Sequence, residues 1–132
     1  MGAPGVGAAR VPIPPKPLTA EVGRVIAIAP DLMFGSRIEE TLRASGHEVQ
    51  IAPALAEARD LESADLLVAD LDEEKGDALV GFGMPVLGYY RHTEVATREA
   101  AEAAGVDLVV PRSRMAREMP ELVERLLSEP GP

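Results

Sequence analysis

The stretch Ala64-Asp65-Leu66-Leu67-Val68-Ala69-Asp70 decides how this chain is read. Its apolar run is too short for a helix and has the length of a strand buried on both faces. It ends in a carboxylate. Open α/β sheets place their sites at the carboxyl ends of such strands. Asp70 is therefore expected at a functional edge, with Asp65 to Ala69 as the third strand of a sheet.

Working outward, apolar runs alternate with helical patterns. Val25 to Ala29 reads as the first strand. Asp31 can cap the helix behind it, in which Phe34, Ile38, Leu42 and Ser45 share one face and Gly46 is the stop. His47 to Ala52 reads as the second strand and Ala54 to Leu61 as a short helix. Leu71 to Gly83 is acidic, then glycine-rich, with room only for a shortened third helix. Pro85 to Tyr90 is the fourth strand. Thr93 to Ala104 is an alanine-rich helix closed by Gly105, with Thr93 as its cap. Val106 to Val110 is the fifth strand. Ser113 opens a turn of helix, and Pro120 suits the first turn of a last helix ending near Leu127. This alternation predicts an α/β three-layer sandwich. Its five-stranded parallel sheet takes the flavodoxin-like order 2-1-3-4-5. The expected domain spans 21–128. A Pro/Gly-rich tail (1–20) precedes it and a short tail (129–132) follows.

The 132 residues hold one modest core, built from aliphatic side chains because aromatics are only 3%. Net charge is −9. The first twenty residues hold Arg10 and Lys16 and no acid, so the rest of the chain carries −11. Such a surface repels phosphate backbones, which argues against nucleic acid as a partner. Arg112, Arg114 and Arg117 form the one close basic cluster. Cysteine is absent, which excludes disulfides, thiol catalysis and thiolate metal sites. No apolar stretch approaches the roughly 20 residues that span a bilayer. No membrane partner and a cytoplasmic location are expected. Val11-Pro12-Ile13-Pro14-Pro15-Lys16-Pro17-Leu18 favours polyproline II, either as a loose tail or as a docking segment.

These residues together resemble the receiver domains of bacterial response regulators, over about Arg24 to Leu127. The likeness rests on the gap-free run from Arg24 to Gly46-His47-Glu48-Val49, on Asp65 to Leu71, on Pro85-Val86-Leu87, and on Gly105-Val106-Asp107 with Val109-Val110. It implies that Asp70 is the equivalent of the phosphoacceptor. It also implies an acid pair holding Mg²⁺ at the end of the first strand, and that pair falls on Ala29 and Pro30. The hydroxyl that ends the fourth strand falls on Tyr90, and the lysine that ends the fifth falls on Arg112. Asp31 is the next available acid.

The resemblance thus implies a degenerate site: Asp70, with a cleft of Asp31, Tyr90 and Arg112, no catalytic residue, no metal and no cofactor. In one arrangement Arg112 grips Asp70 bidentately and replaces the metal. The expected role is a non-catalytic, pseudo-receiver-like protein-interaction module in bacterial signalling or regulation. Its contact surface, for a protein partner or a second copy, is the fourth helix, fifth strand and fifth helix, with Arg114, Met115 and Arg117 as interface candidates. Two alternatives remain. One is a phosphorylatable receiver using Asp70 with Mg²⁺ in a phosphorelay. The other is a flavodoxin-like protein binding a small molecule. The acidic run at Asp72-Glu73-Glu74 reads as solvated surface or, less simply, as a divalent-ion site. His92 is a loop histidine without an evident partner, and His47 receives no role. No Gly-x-Gly-x-x-Gly or Walker lysine supports nucleotide binding.

Overall fold

The computed structural model describes residues 22–91 and 95–128. Five parallel strands, β1 (Arg24–Ile28), β2 (Glu48–Ala52), β3 (Leu66–Asp70), β4 (Val86–Tyr90) and β5 (Leu108–Pro111), form one sheet of order β2-β1-β3-β4-β5. Among the described residues the α-helices are α1 (Leu32–Ala44), α2 (Gly76–Leu79), α3 (Val95–Ala104) and α4 (Arg112–Ser128). The predicted fold class and strand order therefore hold, and the third helix is shortened to the single turn of α2. Among the described residues no helix is long and apolar enough to cross a membrane. The proline-rich segment, Thr93 and His92 lie outside the described residues.

Strand alternation divides the core in two. On one face Val25, Ala27, Val68, Leu87, Tyr89 and Val110 meet Phe34, Ile38 and Leu42 of α1 and Met115, Met119, Leu122, Val123 and Leu126 of α4. On the other, Ile26, Ile28, Leu67, Ala69 and Tyr90 meet Leu79 of α2 and Ala101 of α3. The second face is the thinner one, since α3 buries only Ala101. β3 is buried along its whole length, as its unbroken apolar run requires.

The helix expected over Ala54 to Leu61 does not form. In its place are two 3₁₀ turns, Leu55–Glu57 and Leu61–Ser63. The cause lies on β2. The Gln50 amide donates to the Arg59 carbonyl at 2.9 Å and accepts from the Arg59 N–H at 2.8 Å, acting as a strand partner would. Asp60 then turns left-handed at φ 58°, and Ser63 Oγ donates to the Asp60 carbonyl. Side-chain bonds of this kind draw backbone groups out of a helix.

From Arg112 to Ser128 two helical pieces meet at a kink at Glu118, where φ is −122° and ψ is 17° and the backbone leaves the helical region. Pro120 lies two residues on. Its ring and missing N–H disrupt the helical ladder at this point. The two helical pieces read from Ser113 and Pro120 thus meet at this kink. His47, given no role above, is buried, and its Nδ1 accepts the Gly23 N–H at 3.1 Å, which ties down the entry to β1.

Candidate functional site

Asp70 is the last residue of β3 and is 5% exposed. Three features fix the backbone around it. Leu71 N–H donates to the Tyr89 carbonyl at 2.8 Å, and Glu73 and Glu74 N–H groups turn back onto the Asp70 carbonyl at 3.2 and 3.0 Å. The Leu71 side chain then lies over Gly88, where a Cβ would stand only 2.6 Å from Leu71 Cδ1. Only glycine admits that approach. Among the described residues the carboxylate takes one hydrogen bond, from the Asp72 N–H to Oδ1 at 2.8 Å.

Register decides what surrounds it. Ile28 pairs with Ala69, so Ala29 stands beside Asp70, followed by Pro30. Neither offers a side-chain oxygen. On the other side Asp70 pairs with Tyr89, whose ring shares the α1/α4 face. Tyr90 points to the opposite face, under Arg98 of α3, whose guanidinium carbon lies 5.9 Å from its ring centroid. The assignment of Tyr90 to the cleft is thereby corrected. Alternation places Tyr89 there, with its hydroxyl buried and without a hydrogen-bond partner among the described residues.

Asp31 caps α1 as expected. Its Oδ1 accepts the Met33 and Phe34 N–H groups at 3.0 and 3.1 Å. Its Oδ2 accepts Arg112 Nη2 at 2.8 Å. The Arg112 guanidinium lies over the Phe34 ring at 4.1 Å, and Phe34 meets Tyr89 edge-on at 5.0 Å between centroids. A stack of Asp31, Arg112, Phe34 and Tyr89 thus stands beside Asp70. The pairing of Arg112 with Asp70 does not occur. The aromatic support under the guanidinium and the free oxygen of the capping carboxylate draw Arg112 to Asp31 instead.

Electrostatics follow from these contacts. The Arg112 hydrogen bond, joined by the Phe34 N–H, holds the Asp31 carboxyl below its ordinary range. Burial pushes Asp70 up. The Asp72 N–H opposes this, the charges of Asp72 and Glu73 add to it, and Arg112 opposes it only weakly from a distance. Burial, and then the charge of Asp70, raise the Tyr89 phenol.

The divalent-metal site implied by the resemblance is not met by these donors. Mg²⁺ takes oxygen ligands, including one or two carboxylates. Here Ala29 and Pro30 flank Asp70, Asp31 is committed to the cap and to Arg112, and Asp72 Oδ2 accepts the Arg91 N–H. Among the described residues no three His, Cys, Asp or Glu side chains converge on a point.

Of the interface candidates, Met115 is fully buried in the core and cannot contact a partner. Helical spacing from Arg112 turns it inward. Arg114 and Arg117 are accessible, but both lie on Glu118, at 3.2 and 3.3 Å, so the basic strip is partly neutralised.

A pH-dependent result follows for Asp70. Its native pKa lies above the unfolded value, so the native state holds the proton more tightly. Stability from this group is full at low pH and is lost as pH rises through the native pKa. Asp70→Asn, which keeps an acceptor for the Asp72 N–H, should stabilise the fold at pH 7 by about 1 kcal/mol. Urea melts of both proteins should converge below about pH 4, where the carboxyl is protonated.

No protein-family model matches the chain, and no curated protein matches it. Solved structures do. The non-phosphorylated HemR receiver domain from Leptospira biflexa superposes with a TM-score of 0.70 at 22% identity, covering 83% of this chain and 97% of that one. A CheY-like response regulator receiver domain protein from Methanospirillum hungatei gives 0.70 at 19%, covering 81% and 94%. HP1043, an orphan response regulator of H. pylori, gives 0.67 at 18%, covering 79% and 95%. The fold of this chain is that of response-regulator receiver domains.

Proposed function

We propose that this chain is a non-catalytic, pseudo-receiver-like interaction module of bacterial signalling, working in the cytoplasm. One observation carries the reading: beside Asp70, the place of a metal-holding acid pair is taken by Ala29 and Pro30, while Arg112 is locked onto Asp31 over Phe34. Phosphoryl transfer to a carboxylate depends on positioning and on neutralising charge at the transferred group. Asp70 is buried, its carboxyl is pushed above its ordinary range, and Ala29 and Pro30 offer it no carboxylate from the end of β1, which suits a fixed surface better than turnover. The contact surface is the face of α3, β5 and α4, used for a protein partner or a second copy. Its accessible charges include Arg117.

The test is incubation with Mg²⁺ and acetyl phosphate, read by intact mass. An unmodified mass is expected. A phosphoryl adduct that disappears in Asp70→Asn would establish the phosphorelay reading instead.

A further inference from the structure

The loop after Asp70, α2 and α3 leave an open groove of about 710 Å³ on the thinner face of the sheet. Its floor is Leu71, Ala96, Ala100, Ala101 and Ala104. Gly76 abuts Ala101 so closely that a Cβ would stand 2.9 Å from its Cα, which keeps the walls fixed. The rim carries Asp72, Glu73, Glu74 and Asp77 against one base, Lys75. None of these acids is engaged in an ion pair among the described residues.

We infer that this groove is the docking site of the chain's own segment Arg10 to Leu18. Charge selects it: Arg10 and Lys16 stand in a segment without acids, on a chain otherwise strongly negative. Backbone chemistry selects it too. The floor is the side of a helix, and alanine methyls offer neither donors nor acceptors. A strand laid there would leave its N–H groups unpaired, at a cost. Pro12, Pro14, Pro15 and Pro17 have no N–H to satisfy, and polyproline II has no internal hydrogen bonds to lose. The shallow alanine floor suits the compact rings of proline and the side chains of Val11 and Ile13. Reach sets the direction: Leu18 is tied by Thr19 to Glu21 to Val22 at the entry to β1, a stretch of about 12 Å in polyproline II, so Leu18 must lie at the end of the groove nearest that entry, with Arg10 farthest from it. This inference stands apart from the reading of Asp70.

Because the full chain has no cysteine, Ala8→Cys gives a single attachment point for a nitroxide. At low salt, the amides of Thr97, Ala100, Ala104 and Asp77 should broaden, independently of tenfold dilution. The broadening should be largely lost in Arg10→Glu/Lys16→Glu. Three results would overturn the proposal: no broadening at these positions, broadening that fades on dilution and so comes from a second copy, or broadening indifferent to the charge reversal.

Discussion

Phe34→Ala is expected to cost the fold about 4 kcal/mol, at the scale of emptying a buried aromatic site. Phe34 is 4% exposed, meets Tyr89 edge-on, and carries the Arg112 guanidinium on its other side. Its removal opens a cavity between α1 and the sheet and takes away the support that orients Arg112. Urea unfolding should show a lower midpoint with an unchanged slope. A loss under about 1 kcal/mol would mean that the stack does not form. Phe34→Leu, which refills much of the space, should recover stability without restoring the cation–π contact. The two variants therefore separate packing from orientation.

Arg112→Ala carries the second largest effect, about 2 kcal/mol, through lost packing and cation–π contact with Phe34. Its titration signature is more telling. Asp31 owes its depressed pKa first to Arg112, whereas Asp70 feels Arg112 only as the last of its influences. Carboxyl NMR titration of the variant should show Asp31 moving up toward the ordinary range, held partly down by the Phe34 and Met33 N–H groups, and Asp70 moving little. The opposite pattern would restore the Arg112–Asp70 pair. Combining Arg112→Ala with Asp31→Asn should be less than additive, since the two groups share one bond. Stability that Asp31 confers is present above its unfolded pKa and is lost as pH falls through its depressed native value. Acid should therefore erase only part of the difference between the wild type and the Arg112→Ala variant, because the Phe34 contact is independent of pH.

Much of this fold is legible in the chain because its central strands β3 and β4 are buried on both faces and β3 appears as an unbroken apolar run. Leu66 to Asp70 is the clearest. The cap at Asp31 is legible for a local reason, its two N–H partners lying two and three residues on. What fails depends on contacts across the chain. The helix after β2 is lost to Gln50, which reads the backbone of Arg59 from its place on the strand. The two tyrosines must face opposite ways, but which one joins Asp70 depends on the register of β3 on β4. Arg112 has two acids to choose between, and the choice rests on the Phe34 ring beneath its guanidinium. Met115 is an apolar residue within a basic stretch, and only the bend and phase of α4 turn it into the core.

Ala29 and Pro30 stand beside Asp70, neither offers a side-chain oxygen, and the proposed function rests on that. The most direct test is the full chain with Mg²⁺ and beryllofluoride, followed by thermal melting and by the amide signals of Asp70, Tyr89 and Arg112. Unchanged melting and unmoved signals are predicted. A melting temperature raised by several degrees, with those signals displaced and both effects abolished in Asp70→Asn, would contradict it.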